Sequence, residues 1–146
     1  MTAVVLLLRL AVGALFIFAG ASKIGHAGLF AAQITAFGLV PRPLIAPMAL
    51  LLPVFEVLLG GYLVLGLYTR VAAIVAGVQL AIFAGAIASA VSRGLSLSCG
   101  CFGPSDTTVT SWPEVARDLG FAVVAAFIAW RAPGMLALDR RIGNVK

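Results

Sequence analysis

The sequence predicts an all-α integral membrane protein: a four-helix transmembrane bundle in one domain over residues 1–146, with a short interfacial helix between spans 1 and 2. Three observations predict it. The 146 residues are 62% hydrophobic and only 10% charged, where a soluble domain carries about 25% charged side chains to cover its surface. Mean hydropathy is +1.15. Four segments are long and apolar enough to cross a hydrocarbon core of ~30 Å, which takes ~20 helical residues. A soluble globule is thereby excluded, and so is a disordered chain, which would be poor in apolar residues. No Gly-x-y or Ser/Thr/Pro repeat supports a fibrous or mucin-like chain.

The first span covers about residues 3–21 and is interrupted only by Arg9. Ala19-Gly-Ala21 has the small-residue form of a signal-peptide cleavage site, but no basic segment precedes the apolar run, so an uncleaved span is expected. Residues Ile24–Pro43 are too interrupted to cross. Leu29, Phe30, Gln33, Ile34 and Phe37 recur at helical spacing, with Gly38 as a stop and Pro41 and Pro43 beyond, which predicts the interfacial helix. The second span, about 44–68, contains Pro53 and Glu56. The third, about 71–91, contains Gln79 and a stripe of small residues, Ala73, Gly77, Ala81, Gly85 and Ser89, suited to close helix packing within the bundle.

The fourth span, about 112–130, opens on Ser111-Trp-Pro-Glu114. That pattern predicts a capping box, in which hydroxyl and carboxylate each satisfy a free N–H, with Pro113 in the first turn where its missing donor costs nothing. Trp112 and Trp130 stand about 27 Å apart along a helix, the spacing of two interfacial belts.

Ten Lys and Arg oppose five Asp and Glu. The basic residues are scattered and mostly sit at span ends, which argues for topology and headgroup contacts and against nucleic-acid binding. Arg70, Arg131, Arg140, Arg141 and Lys146 share one side; Lys23, Arg42 and Arg93, with Arg117 at the membrane surface, share the other. The asymmetry predicts cytoplasmic termini and an extracytoplasmic cysteine loop, residues 92–111, on the side where disulfides persist.

That loop holds the only two cysteines, in Ser98-Cys-Gly-Cys-Phe-Gly-Pro104. A disulfide between Cys99 and Cys101 closes over one residue, a demanding geometry that makes the bond easier to reduce and suits exchange better than stapling. The continuing irregular loop predicts an accessible pair. Lys23, His26 and Arg93 fall on the same side; positive neighbours favour the thiolate, and His26 is a candidate base. Two other readings stand beside exchange: a structural staple, and a metal site on Cys99, Cys101 and His26. The second lacks the four ligands and wider spacing usual for zinc, so no metal is expected.

Arg9, Glu56 and Gln79 lie inside spans, where charge is costly and is paired or turned inward. Counted from the cytoplasmic ends, all three fall in the middle-to-cytoplasmic half, predicting a mutual cluster remote from the cysteine loop. The alternative is that Arg9 snorkels to the headgroups while Glu56 serves as a structural hydrogen-bonding residue. A quinone headgroup taking electrons from the thiols would have to sit near the extracytoplasmic surface, away from Arg9 and Glu56.

The chain resembles the DoxX-like/MauE family of small four-helix membrane proteins. Arg9, Gly13, Phe16, Gly20 and Lys23 carry the resemblance in the first span. Phe30, Gly38-Leu39 and Pro41 carry it in the connecting segment, and Glu56, Gly60-Gly61, Gly66-Leu67 and Thr69-Arg70 in the second span and turn. Cys99-Gly-Cys-Phe-Gly103 followed by Ser111-Trp112 is similar to the MauE branch. The resemblance implies the bacterial cytoplasmic membrane and a role in methylamine utilisation, supporting disulfide formation in an exported enzyme subunit with a thioredoxin-like partner. DoxX relatives are tied to thiol, thiosulfate or quinone-linked redox complexes.

Together these readings predict a membrane-embedded thiol–disulfide redox accessory protein, an oxidoreductase component. Cys99 and Cys101 exchange with exported thioredoxin-like or substrate proteins. No cysteine lies inside a span, so the onward acceptor is a quinone or another protein. The competing functions are a non-catalytic subunit of a larger membrane complex with the cysteines as a staple, and a small-solute carrier using Arg9, Glu56 and Gln79.

Overall fold

The computed structural model describes residues 2–99 and 108–132. They form five helices in chain order: α1 (Thr2–Lys23), α2 (Ala27–Phe37), α3 (Arg42–Leu65), α4 (Thr69–Ser92) and α5 (Trp112–Arg131). Among the described residues there is no strand, only one antiparallel bridge between Ser98 and Val109. Three helices, over Ala3–Lys23, Arg42–Leu65 and Thr69–Ser92, are long and apolar enough to cross a membrane. α5 has nearly the expected extent, but Glu114, Arg117, Asp118 and Arg131 make it less apolar than those three. α2 is apolar and, at 11 residues, too short to span.

Element ends follow local chemistry. α2 stops at Gly38, which adopts φ 65° and turns its N–H to the Thr35 carbonyl, as expected. α3 ends at Leu65, three residues short of the expected Tyr68. Gly66 takes the left-handed conformation, φ 71°, and both it and Leu67 donate to the Tyr62 carbonyl. The helix runs on through Pro47 and Pro53. The capping box before α5 is not formed: the Ser111 hydroxyl makes no capping bond and instead donates to the Glu114 carboxylate.

α1 packs on α3 and α4 on α5, with α2 laid against α3. A shared core joins the four long helices through Val12 and Phe16, Leu59 and Leu63, Ala76 and Leu80, and Ala125 and Ile128. The outer faces are also apolar, with Leu7, Leu51, Ile82 and Val123 all more than 60% exposed. Such an all-round apolar chain suits lipid rather than water. Only the first part of the α4 small-residue stripe is packed: Ala73 is buried and Gly77 faces Ala122 and Ala125 of α5. Ala81 and Gly85 are exposed, and the buried seam runs through Ala76, Leu80, Ala84 and Ile87.

The backbones of α1 and α3 approach closely. A Cβ on Gly60 would lie 2.5 Å from the Gly13 carbonyl oxygen, and one on Gly20 would lie 2.5 Å from the Pro53 carbonyl oxygen. Small residues allow such approach, which in lipid is a main source of helix association. Gly60→Ala is therefore expected to destabilise the fold by about 1–3 kcal/mol through overpacking. Gly61→Ala meets nothing within 4 Å and should be neutral or stabilising by up to about 1 kcal/mol. Thermal unfolding in detergent, followed by far-UV circular dichroism, checks both; equal effects would contradict the packing.

Candidate functional site

Glu56 lies in mid-α3 and is almost completely buried, as are Lys23 in the last turn of α1 and Gln79 of α4. Lys23 Nζ donates to Glu56 Oε1 at 3.1 Å and to Oε2 at 2.9 Å, and Gln79 Nε2 donates to Oε1 at 3.1 Å. Two charges in a buried interior are tolerable only when paired and further hydrogen-bonded, and this carboxylate receives three bonds. The ammonium also sits 5.2 Å from the Phe30 ring centroid and 5.8 Å from that of Phe83, within cation–π range. Helices α1, α2, α3 and α4 thus meet at one buried cation.

Glu56 and Gln79 are brought together, but the cation on the carboxylate is Lys23. Antiparallel packing sets Glu56 beside Gly20, towards the Lys23 end of α1. Arg9 is equally buried and lies about 21 Å from Lys23 along the same helix.

A cavity of about 310 Å³ adjoins this cluster, enclosed by the end of α1, by α2, α3 and α4, and by Cys99. Lys23 and Gln33 are its polar lining, and Phe30, Phe37 and Phe83 supply rings. Lys23 and Cys99 therefore face one space, so the polar cluster adjoins the cysteine segment rather than lying remote from it. The Gln33 carbonyl oxygen is buried without a hydrogen-bond partner among the described residues.

Hydrogen bonds hold Cys99 and the residues before it. Its N–H donates to the Thr108 carbonyl at 2.9 Å, Thr110 N–H donates to the Leu97 carbonyl at 2.8 Å, and the Thr110 hydroxyl donates to the Leu95 carbonyl at 3.0 Å. The ends of the cysteine segment are thereby drawn together antiparallel. Contrary to the accessible pair expected, Cys99 is 9% exposed and packs with Ala84, Ile87 and Val115. It is not a free thiol. Cys101 lies outside the described residues.

His26 is exposed at the N-cap of α2 and is not part of the cavity lining. Arg93 caps α4 and reaches across to α2: its Nη2 donates to the Phe37 carbonyl at 2.6 Å and its Nε to the Ser89 carbonyl at 3.1 Å. Among the described residues no three His, Cys, Asp or Glu side chains converge on a metal-sized space.

Sequence reasoning passed over two buried polar groups. Asp118 of α5 is 4% exposed and paired with Arg117 at 3.0 Å, and both border a void of about 30 Å³ that also touches Glu56. A carboxylate within an apolar segment is itself the signal that identifies it. Gln33 gave no such signal, because a polar residue on a surface helix is unremarkable.

Helices of this length and apolarity define a small polytopic integral membrane protein. The chain belongs to the methylamine utilisation protein MauE family, whose profile matches residues 1–131. It is 34% identical over 127 residues to the methylamine utilization protein MauE of Paracoccus denitrificans, covering 86% of this chain and 68% of that protein. It is likewise 34% identical over 112 residues to the protein of that name from Methylorubrum extorquens, covering 76% of this chain and 60% of that one. No solved structure matches the chain.

Arg93 pins the end of α2, and with it one wall of the cavity. Arg93→Ala should cost about 1 kcal/mol, the worth of an exposed charge-assisted bond, and speed amide hydrogen exchange in α2 while α1 exchanges as before. Uniform exchange changes in both helices would contradict the local role.

Proposed function

We propose that the protein is a membrane-embedded thiol–disulfide exchange protein. Its Cys99–Cys101 disulfide accepts electrons from an exported thioredoxin-like protein or directly from an exported substrate. The observation that carries the reading is the placement of Cys99: a bonded cysteine, its N–H held by the Thr108 carbonyl, at a cavity beside a buried charge cluster. A staple needs no cavity at its sulfur. Membership of the MauE family supports the same reading, and methylamine utilisation is the pathway it suggests.

In this reading α5 is the fourth span, α2 lies at the interface, both termini are cytoplasmic and the cysteine segment faces the extracytoplasmic side of the bacterial cytoplasmic membrane. A partner thiolate attacks one sulfur of the disulfide and displaces the other as a thiolate, giving a mixed disulfide. The partner's second thiolate then attacks its own sulfur in that bond and releases the Cys99–Cys101 dithiol. One pair supports one such stage. Lys23 and Arg93 act here as positioning residues: the Lys23 charge is balanced by Glu56, and Arg93 holds the α2 wall.

The burial of Cys99 favours a second reading, a stapled non-catalytic subunit of a larger membrane complex. Trapping separates the two. Cys99→Ser and Cys101→Ser variants, expressed singly, are expected to accumulate reductant-sensitive adducts with exported proteins on non-reducing gels, and the double variant none. Absence of adducts from both single variants, with full function in the double variant, would establish the staple instead.

A further inference from the structure

We infer that the cavity beside Cys99 binds the ring of a lipid-borne quinone, which reoxidises the dithiol. The inference rests on the exchange reading above and identifies the electron acceptor of that same site. Its volume, about 310 Å³, lies at the lower end of the ~300–1,000 Å³ typical of small-molecule pockets, which are mostly apolar with a few placed polar groups. Leu39 and Ile82, 49% and 63% exposed, stand at its margin. Ile82 lies on α4, a candidate span, so part of the lining is exposed apolar surface of the kind that meets lipid, which suits a lipid-soluble ligand. Phe30, Phe37 and Phe83 supply flat faces for a conjugated ring.

The polar lining matches both redox states of such a ring. A lysine ammonium has three donors; Lys23 gives two to Glu56, leaving one for a quinone carbonyl oxygen. The buried Gln33 carbonyl, without a partner among the described residues, accepts from a quinol hydroxyl. Cys99 lines the same space, which places a sulfur at the ring. The step balances. The Cys99 and Cys101 thiols lose two electrons and two protons as their S–S bond forms, and the quinone gains both to become the quinol. Lys23 and Gln33 hold the oxygens on which charge and protons accumulate.

The test uses the full chain in nanodiscs with a short-chain benzoquinone as probe. Calorimetry is expected to show one binding site. Ala86→Phe, which fills the cavity from α4, and Gln33→Leu should each weaken binding about tenfold or more while helicity by circular dichroism is kept. The reduced protein should convert one equivalent of quinone to quinol, followed by ultraviolet absorbance. The Cys99→Ser/Cys101→Ser double variant should bind the quinone and reduce none.

Absence of saturable binding, or binding unaffected by both cavity variants, overturns the inference; if the protein still oxidises a dithiol peptide, the exchange reading stands without it. Binding that survives while the wild-type pair neither oxidises the peptide nor reduces quinone overturns the exchange reading and the electron-transfer step together. Recovery of only an acyl chain in the cavity, undisplaced by quinone, also refutes the assignment.

Discussion

The structure depends on one buried ion pair. Lys23 and Glu56 are each about 2% exposed or less, and removing two such charges from water costs several kcal/mol apiece. The cost is tolerable because the carboxylate is matched on both oxygens by the ammonium and on one by Gln79. Position helps as well: Lys23 occupies the last turn of α1, where the helix dipole favours a cation. An unmatched charge at this depth would be intolerable, so the pair fixes which turn of α1 faces which turn of α3. The glycine contacts at residues 13, 20 and 60 then bring the two backbones together in that register.

The candidate site follows from the pair. Phe30 and Phe83 close around the ammonium, drawing α2 and α4 to the end of α1 and leaving the cavity between them. Arg93 fastens the other end of α2 to α4. The Ser98–Val109 bridge adjoins Cys99, which packs on α4 and α5 and lines that cavity.

Much of this was legible in sequence. Apolar length gave three candidate spans and the α5 helix to within about three residues at each end, because helix formation in an apolar chain is dictated locally. Glu56 and Gln79 stood out as polar residues within apolar runs. Their partner did not: Lys23 falls just beyond the last apolar residue of its segment and reads as a headgroup contact. Two further residues of helix, and packing of α1 on α3, set it inward against Glu56. Depth was misjudged for a related reason. Counting from the ends of separate helices takes no account of the antiparallel register, which sets Glu56 beside Gly20 and away from Arg9. The burial of Cys99 depends on contacts with α4 and α5 distant in sequence, so the irregular Gly- and Pro-containing segment pointed to exposure.

The most direct measurement of the central claim is a double-mutant cycle on the ion pair, using Lys23→Met, Glu56→Leu and the combined variant in reversible unfolding from mixed micelles. Each single change leaves one charge buried without its counterpart and should cost about 3–5 kcal/mol, whereas the double variant should lie well above their sum in stability, with a coupling energy of at least about 2 kcal/mol. Additivity within about 0.5 kcal/mol would show that the two residues do not act as a pair, and would contradict the account of how this fold places its cysteine.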